Sequence, residues 1–425
     1  MSVPRLLHLS DLETIYDDPR RLARLAGAVD AARDDRTIVV GTGDTTALGA
    51  LAFERGEGRA VARPFYEHVA PDADTLGNHE FDLGVDGALE WATTTPGAHL
   101  VANAAGDDRW NGIEPSTVVT CAGQRIGLIG IVHPETCELS GLDLDVEFTD
   151  PVQAVRMAVD RLGERDPDWL VVCSHAGPID REIAAGTDVD VILGGHDHDE
   201  VCERVDGTLL ARTEGGQAGT FQLVELDDRP GVTTRSIDDA QPVESVETTY
   251  RDLTAACGLT DELGRLAEPL DHPATVTLVA DAYRTRGEAD VGLVAAASVR
   301  SGLPATVTRG DVIGVVPFES RLHVHRLSGE SLQAIAARCA DSSSAIHGGL
   351  ATAGLTAEYD AVPLVADEPI DPTATYRLGC MSYLTVVGAV PELDRDTLVE
   401  SRGPQHEHVL AAVEDAVDDA HEYDR

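Results

Sequence analysis

A chain of 425 residues with 75 acidic and 32 basic side chains carries a formal net charge of −43, and none of the basic residues is lysine. Such an acidic surface repels phosphate backbones and anionic membranes, which argues against nucleic acid and membrane partners; it is tolerated where molar salt shortens the Debye length to about 3 Å. The length exceeds what one hydrophobic core usually serves, so two domains are expected, and no apolar run is long enough to cross a bilayer.

The apolar run from Leu6 to Ser10 predicts a strand that ends at Asp11-Leu12-Glu13. Asp18-Pro19 then reads as an N-cap with proline in the first helical turn, and Leu22, Leu25 and Val29 share one helical face. Thr37 to Val40 is a β-branched run ending in Gly41 and followed by Gly43-Asp44; further on comes Gly77-Asn78-His79-Glu80. Arg125 to Val132 predicts another strand, and Asp150-Pro151 a second helix start. Trp169 to Val172 leads into Ser174-His175, and Val189 to Leu193 leads into Gly195-His196-Asp197-His198. A last strand is expected near Phe221 to Leu226, with edge turns over Asp227 to Gly231 and a connector over residues 238–250. Strand, polar turn and helix alternate, which predicts an α/β layered sheet. The boundary is placed near residue 245, giving domains of 1–245 and 246–425.

The polar turns fall at the carboxyl ends of successive strands, where an open α/β sheet gathers its chemistry. Asp, Asn and His in that arrangement suit a two-ion site. Two divalent cations roughly 3.5–4 Å apart clamp the attacking and leaving oxygens of an in-line displacement, and a shared carboxylate holds them together. Asp44 is the natural bridge. The mixed oxygen and nitrogen shell suits Mn, Zn, Mg or Co.

The order of these motifs resembles the calcineurin-like metallophosphoesterases, and the run Gly77-Asn78-His79-Glu80-Phe81-Asp82 resembles their 5'-nucleotidase family. The resemblance implies a four-layer α/β sandwich followed by a smaller α/β domain for substrate recognition. It assigns Asp11 and His198 to a first metal, Asn78, His175 and His196 to a second, and Asp44 to both. It makes His79 the group that steadies transition-state charge and protonates the leaving oxygen, with Asp82 orienting the ring; Glu80 is less suited to that task. The superfamily opens with Asp-x-His, whereas this chain has Glu13, which either binds through oxygen and favours Mn or Mg, or fails to reach.

In the second half, Ala289 to Val294 followed by Arg300 resembles the family's substrate loop, and Gly310-Asp311-Val312 running to Pro317-Phe318 resembles its next landmark. Arg300 offers paired donors to an anion or ribose. Phe318 and Tyr383 fall where the family sandwiches a base, with core packing as the alternative for both. Two departures stand out: Ala295 replaces an Asn, and Val386-Val387-Gly388-Ala389 replaces a Gly-Gly-Asp-Gly element. The resemblance implies a two-metal enzyme of nucleotide catabolism that hydrolyses nucleoside 5'-monophosphates, with 2',3'-cyclic nucleotides as a close variant, through hydroxide held between the metals, the two domains closing on the substrate. A hydrolase of sugar phosphates or nucleotide-sugar diphosphates, and a binding protein with a degenerate first-metal site, are the alternatives.

Seven scattered cysteines do not form a disulfide framework, and Met1-Ser2-Val3-Pro4 leads to the first strand without an export leader, so a salt-rich cytoplasm is the expected location. Cys173 reads as a small buried hydrophobe. His323, His325, His347, His406 and His408 are expected on polar faces, His133 in a loop, and Ala411 to Arg425 as a solvated acidic helix.

Overall fold

The computed structural model describes residues 2–105, 110, 112–137, 146–318, 320–340, 349–357, 362–388 and 390–423, with side chains as far as 417. His347 and Ala389 lie outside the described residues. The chain divides into two compact units, Met1–Leu253 and Thr254–Arg425.

The first unit holds two six-stranded sheets. In one, strands Arg5–Leu9, Thr37–Gly41, Ala73–Thr75 and Ala98–Leu100 run parallel in that order, and Thr220–Glu225 and Gly231–Ser236 extend it antiparallel beside Arg5–Leu9. In the other, Gln124–Val132, Trp169–His175, Val191–Gly194 and Thr208–Arg212 are parallel, flanked by antiparallel Ser116–Cys121 and Val201–Val205. The sheets face each other through one apolar layer: Leu6, Ile38, Val40 and Leu100 meet Ile126, Leu128, Val171, Leu193 and the buried Cys173. The outer face of the second sheet, with Ile129, Ile131, Val172 and Ile192, is covered by Ala154, Val155, Ala158 and Leu162 of helix Pro151–Gly163 and by Ile183 and Ala184. The parallel pairs need crossover connections, which helices such as Pro19–Ala32 supply. Both expected proline starts are present: Asp18 accepts the amides of Arg20 and Arg21, and Asp150 accepts that of Gln153. The result is the expected α/β sandwich, whose parallel strands Arg5–Leu9, Thr37–Gly41, Ala73–Thr75, Trp169–His175 and Val191–Gly194 each end within a few residues of a site side chain.

The stretch around 238–250 is not a plain connector. Glu244–Ala256 forms a helix whose Tyr250 is fully buried, its hydroxyl donating to the Val61 carbonyl at 2.6 Å and its ring 5.9 Å from that of Tyr16.

The second unit is built on a five-stranded mixed sheet in the order Leu350–Ala353, Val291–Ala295, Thr375–Met381, Arg321–Ser328, Leu398–Pro404. Its core joins Val279, Ala280 and Tyr283 of helix His272–Arg286 to Val291, Leu293 and Leu378 of the sheet. Two expectations are corrected here. The final helix, Gln405–Tyr423, is not simply solvated, because Val409, Val413 and Val417 enter this core at a helical spacing. His325 is not on a polar face but fully buried, with its ring nitrogens 3.0 Å from Thr385 Oγ1 and Thr397 Oγ1; burial and His323 lower its pKa to about 4. His406 is likewise buried.

Candidate metal centre

The site begins with backbone. Among the described residues, eleven other than glycine have positive φ, and four of them are Asp11, Glu13, Asp44 and His196. Such conformations cost about 1–3 kcal/mol each and persist only where surroundings fix them. The surroundings here are two turns zipped together. The amides of Asp11 and Leu12 donate to the carbonyls of Gly43 and Asp44 at 3.2 and 2.8 Å, and the Leu48 amide donates back to the Glu13 carbonyl at 2.9 Å. A third turn closes on them, with the Gly216 and Gln217 amides donating to the carbonyls of Ser10 and Asp11. The Gly77 turn packs equally close, since a methyl group there would lie 2.1 Å from Asp44 Oδ1.

The side chains gather in two groups joined through Asp44. Asp11, Glu13 and His198 offer ligand atoms within 4.8 Å of one another, as do Asp44, His175 and His196. A third overlapping group, Glu13, Asp44 and His79, connects them. Glu13 Oε1 is 3.2 Å from His198 Nε2, and Asp11 Oδ1 is 3.6 Å from the same atom. The Glu13 carboxylate therefore lies beside His198 and Asp11 in the first group. In the second group, His196 Nδ1 lies 2.9 Å from Asn78 Oδ1, and Asp11 Oδ1 accepts the His196 amide at 3.1 Å. His175 donates from Nδ1 to the Thr42 carbonyl at 2.7 Å, which turns Nε2 toward Asp44 Oδ2, 3.0 Å away.

His79 and Asp82 form a pair at 2.9 Å between Nδ1 and Oδ2, and the His79 amide donates to Asp44 Oδ1 at 2.9 Å. Burial disfavours charge on His79, His175 and His198, but the surrounding carboxylates outweigh it and raise each pKa to about 10. Asp82 and Asp44 act on His79, Asp44 and Asp11 on His175, and Asp11 and Glu13 on His198. His196 moves the other way, to about 2, through burial and its neighbours His175 and His133. The field at the site thus favours positive charge.

Glu80, set aside as a partner for His79, has a different position. Its carboxylate is buried and accepts the amides of Asp44, Thr45, Thr46 and Gly77 at 2.6–3.0 Å, tying the Asp44 turn to the Asn78 turn. Three more residues escaped the sequence reading. His133 follows strand Gln124–Val132 and packs its ring 4.7 Å from that of His196; its place at a strand end was the available signal. Gln217 Nε2 lies 2.8 Å from His198 Nδ1. Arg212, 3% exposed, holds the loop after His196 through Asp197 at 3.1 Å and Asp199 at 2.7 Å. Neither of the last two has a local sequence signal.

The donor set fits divalent cations. His175 Nε2 is wholly buried and, although 3.0 Å from Asp44 Oδ2, is not aligned in a hydrogen bond with it. A ring nitrogen and a carboxylate aimed at a common point, ringed by further Asp, Glu, Asn and His side chains, is a cation-binding arrangement.

Residues 4–200 match the family model of the calcineurin-like phosphoesterases, and residues 258–389 match that of the 5'-nucleotidase C-terminal domain. The chain joins a calcineurin-like phosphoesterase domain to a 5'-nucleotidase C-terminal domain. That fold implies divalent metal. A 5'-nucleotidase of Diplobatis ommata is 35% identical over 173 residues, covering 39% of this chain and 30% of that protein. An apyrase of Aedes albopictus is 25% identical over 333 residues, covering 65% and 58%. This chain thus spans about a third of the first relative's length and less than two thirds of the second's. Among solved structures, a 5'-nucleotidase precursor from Thermus thermophilus has the same fold, with a TM-score of 0.80 at 19% identity over 98% of this chain and 97% of that one. A sulfate thiohydrolase from the same organism has it too, with a TM-score of 0.78 at 18% identity over 97% and 94%.

In the 5'-nucleotidase-type second unit, the Arg300 guanidinium sits 5.5 Å from the centroid of the half-buried Phe318 ring. Tyr383 opens a short helix, Ser382–Val386, and is 38% exposed. The segments carrying Phe318 and Tyr383 are clasped together, Ser320 Oγ lying 2.9 Å from Ser382 Oγ and accepting the Tyr383 amide. Ala295 is buried and presents no polar atom of its side chain.

Proposed function

We propose that this chain hydrolyses phosphate monoesters, nucleoside 5'-monophosphates foremost, releasing nucleoside and phosphate. The observation that carries this reading is the juxtaposition of two ligand groups, linked by a third that holds Glu13, Asp44 and His79, with the His79–Asp82 pair beside them. Asp11, Glu13, Asp44 and His198 would hold one divalent ion and Asp44, Asn78, His175 and His196 another. Ions so held supply Lewis acidity toward phosphoryl oxygens and lower the pKa of water.

The chain's own groups do the rest. Asp82 accepts from His79 Nδ1–H, and although burial opposes it, Asp82 and Asp44 hold the ring as imidazolium, so Nε2 also carries a proton that meets charge on the phosphoryl group or passes to the leaving oxygen. Glu80 fixes the turns of Asp44 and Asn78 at once, so the ligands and His79 keep one geometry through turnover. Arg300, Phe318 and Tyr383 are assigned to the nucleoside part, the guanidinium to oxygen acceptors and the rings to the base. The acidic composition, with arginine for every basic residue other than histidine, and seven cysteines that form no disulfide support work in a salt-rich cytoplasm.

The test is a substrate panel in molar KCl with added Mn, Mg, Zn or Co. Release of phosphate from nucleoside 5'-monophosphates, with sugar phosphates and an aryl phosphate far behind, is expected. Tyr383→Ala should raise KM for nucleotides about 5–50-fold, the worth of one stacked base, and leave that of the aryl phosphate alone. Turnover confined to sugar phosphates or nucleotide-sugar diphosphates would discard the nucleotide assignment.

A further inference from the structure

The two ligand groups differ in chemistry. Around the first, two carboxylates, Asp11 and Glu13, meet one imidazole, His198, and Asp44 joins Glu13 and His79 in the overlapping group beside it. Around the second, two imidazoles, His175 and His196, meet Asp44 and the Asn78 oxygen. Glu13 makes the difference, because it stands in two of the three overlapping groups and is 1% exposed.

Glu13 is also held in place. Its backbone sits at φ 35°, ψ −98°, bridged in parallel to Ala47 and accepting the Leu48 amide at 2.9 Å, so the Asp11 and Asp44 turns fix where its side chain starts, and the carboxylate lies 3.2 Å from His198 Nε2. The two buried carboxylates of that group, Asp11 and Glu13, carry a large desolvation penalty that a divalent cation offsets. The second group has its own pointer to an ion in the buried, unaligned His175 Nε2.

Hard cations such as Mn and Mg favour oxygen, whereas imidazole suits Zn. We infer that the two positions take different ions, Mn or Mg at the oxygen-rich group of Asp11 and Glu13 and Zn at the imidazole-rich group of His175 and His196, and that Glu13 sets this division. The inference rests on the two-ion reading above and specifies it.

The experiment is ion composition, not turnover. Metal-free protein is dialysed against Mn in excess over Zn across a range of ratios, and the bound ions are counted by elemental mass spectrometry. One Zn and one Mn per chain is expected over a broad plateau. Glu13→His, which replaces the oxygen donor by nitrogen, should take up a second Zn, moving the Mn-to-Zn ratio at which the first position changes hands by at least about tenfold. Two ions of one kind at every ratio in the unmodified protein would overturn the inference and leave the two-ion reading standing, with no dependence on how the variant folds. Fewer than two ions at any ratio would overturn both.

Discussion

Glu80 accepts four backbone amides with one buried carboxylate, an arrangement that only an ionised, acceptor-only group satisfies. Burial and Asp44 push its pKa up, while the Gly77 and Thr46 amides pull it down, and the amides keep the carboxylate useful as an anchor. Glu80→Gln turns an NH2 toward amide donors, and the unsatisfied groups should cost on the order of 3–5 kcal/mol. A thermal melt is expected to show Tm lower by roughly 6–20 °C, with loss of bound ions; an unchanged Tm would show that the four amides do not depend on the charge. The side chains that gather at this centre, Asp11, Asp44, His175 and His196 among them, were legible as candidates because each lies at or just past the carboxyl end of a strand. Glu80, set aside as the partner of His79, showed no sign of its anchoring contacts, for the opposite reason. Its partners lie 34–36 residues away on the Asp44 turn, and no local pattern reports such a pairing.

Among elements, helix Asp180–Gly186 packs under the strand that delivers His175. Its first residue, Asp180, is buried and accepts from Ser174 Oγ at 2.6 Å, and burial raises its pKa to about 7 despite Ser174 and Arg212. The fold therefore keeps a proton on this carboxyl that the unfolded chain releases near its ordinary value. Stability from this group is full below about pH 4 and is lost as the pH rises to about 7. Asp180→Asn removes the titration. Its Tm relative to the unmodified protein is expected to climb between pH 4 and pH 7 and then level off, as read by melts across that range; a difference independent of pH would refute the assignment. The helix starts at Asp18 and Asp150 were legible because capping is local chemistry. The packing of Tyr250 and of Val409, Val413 and Val417 was not, since an acidic amphipathic segment looks alike whether its apolar stripe meets a core or water.

At the scale of the whole molecule, the parallel strands of the two mixed sheets in the first unit converge their carboxyl ends so that residues from Asp11 to His198 form one centre. The α/β class was legible because strand, turn and helix alternate. The net charge of −43 means that the compact state repels itself in dilute buffer, so every assay belongs at high ionic strength. The central claim is that the centre hydrolyses phosphate esters with bound metal and His79. It is tested most directly by phosphate release from a nucleoside 5'-monophosphate in molar KCl, with the metal-loaded protein, the chelated protein and metal-loaded His79→Ala side by side. Activity abolished by chelation, restored by divalent ions, and lowered about 10²–10⁴-fold in His79→Ala at unchanged metal content is expected. Activity indifferent to chelation, or a His79→Ala protein as fast as the unmodified one, would contradict it.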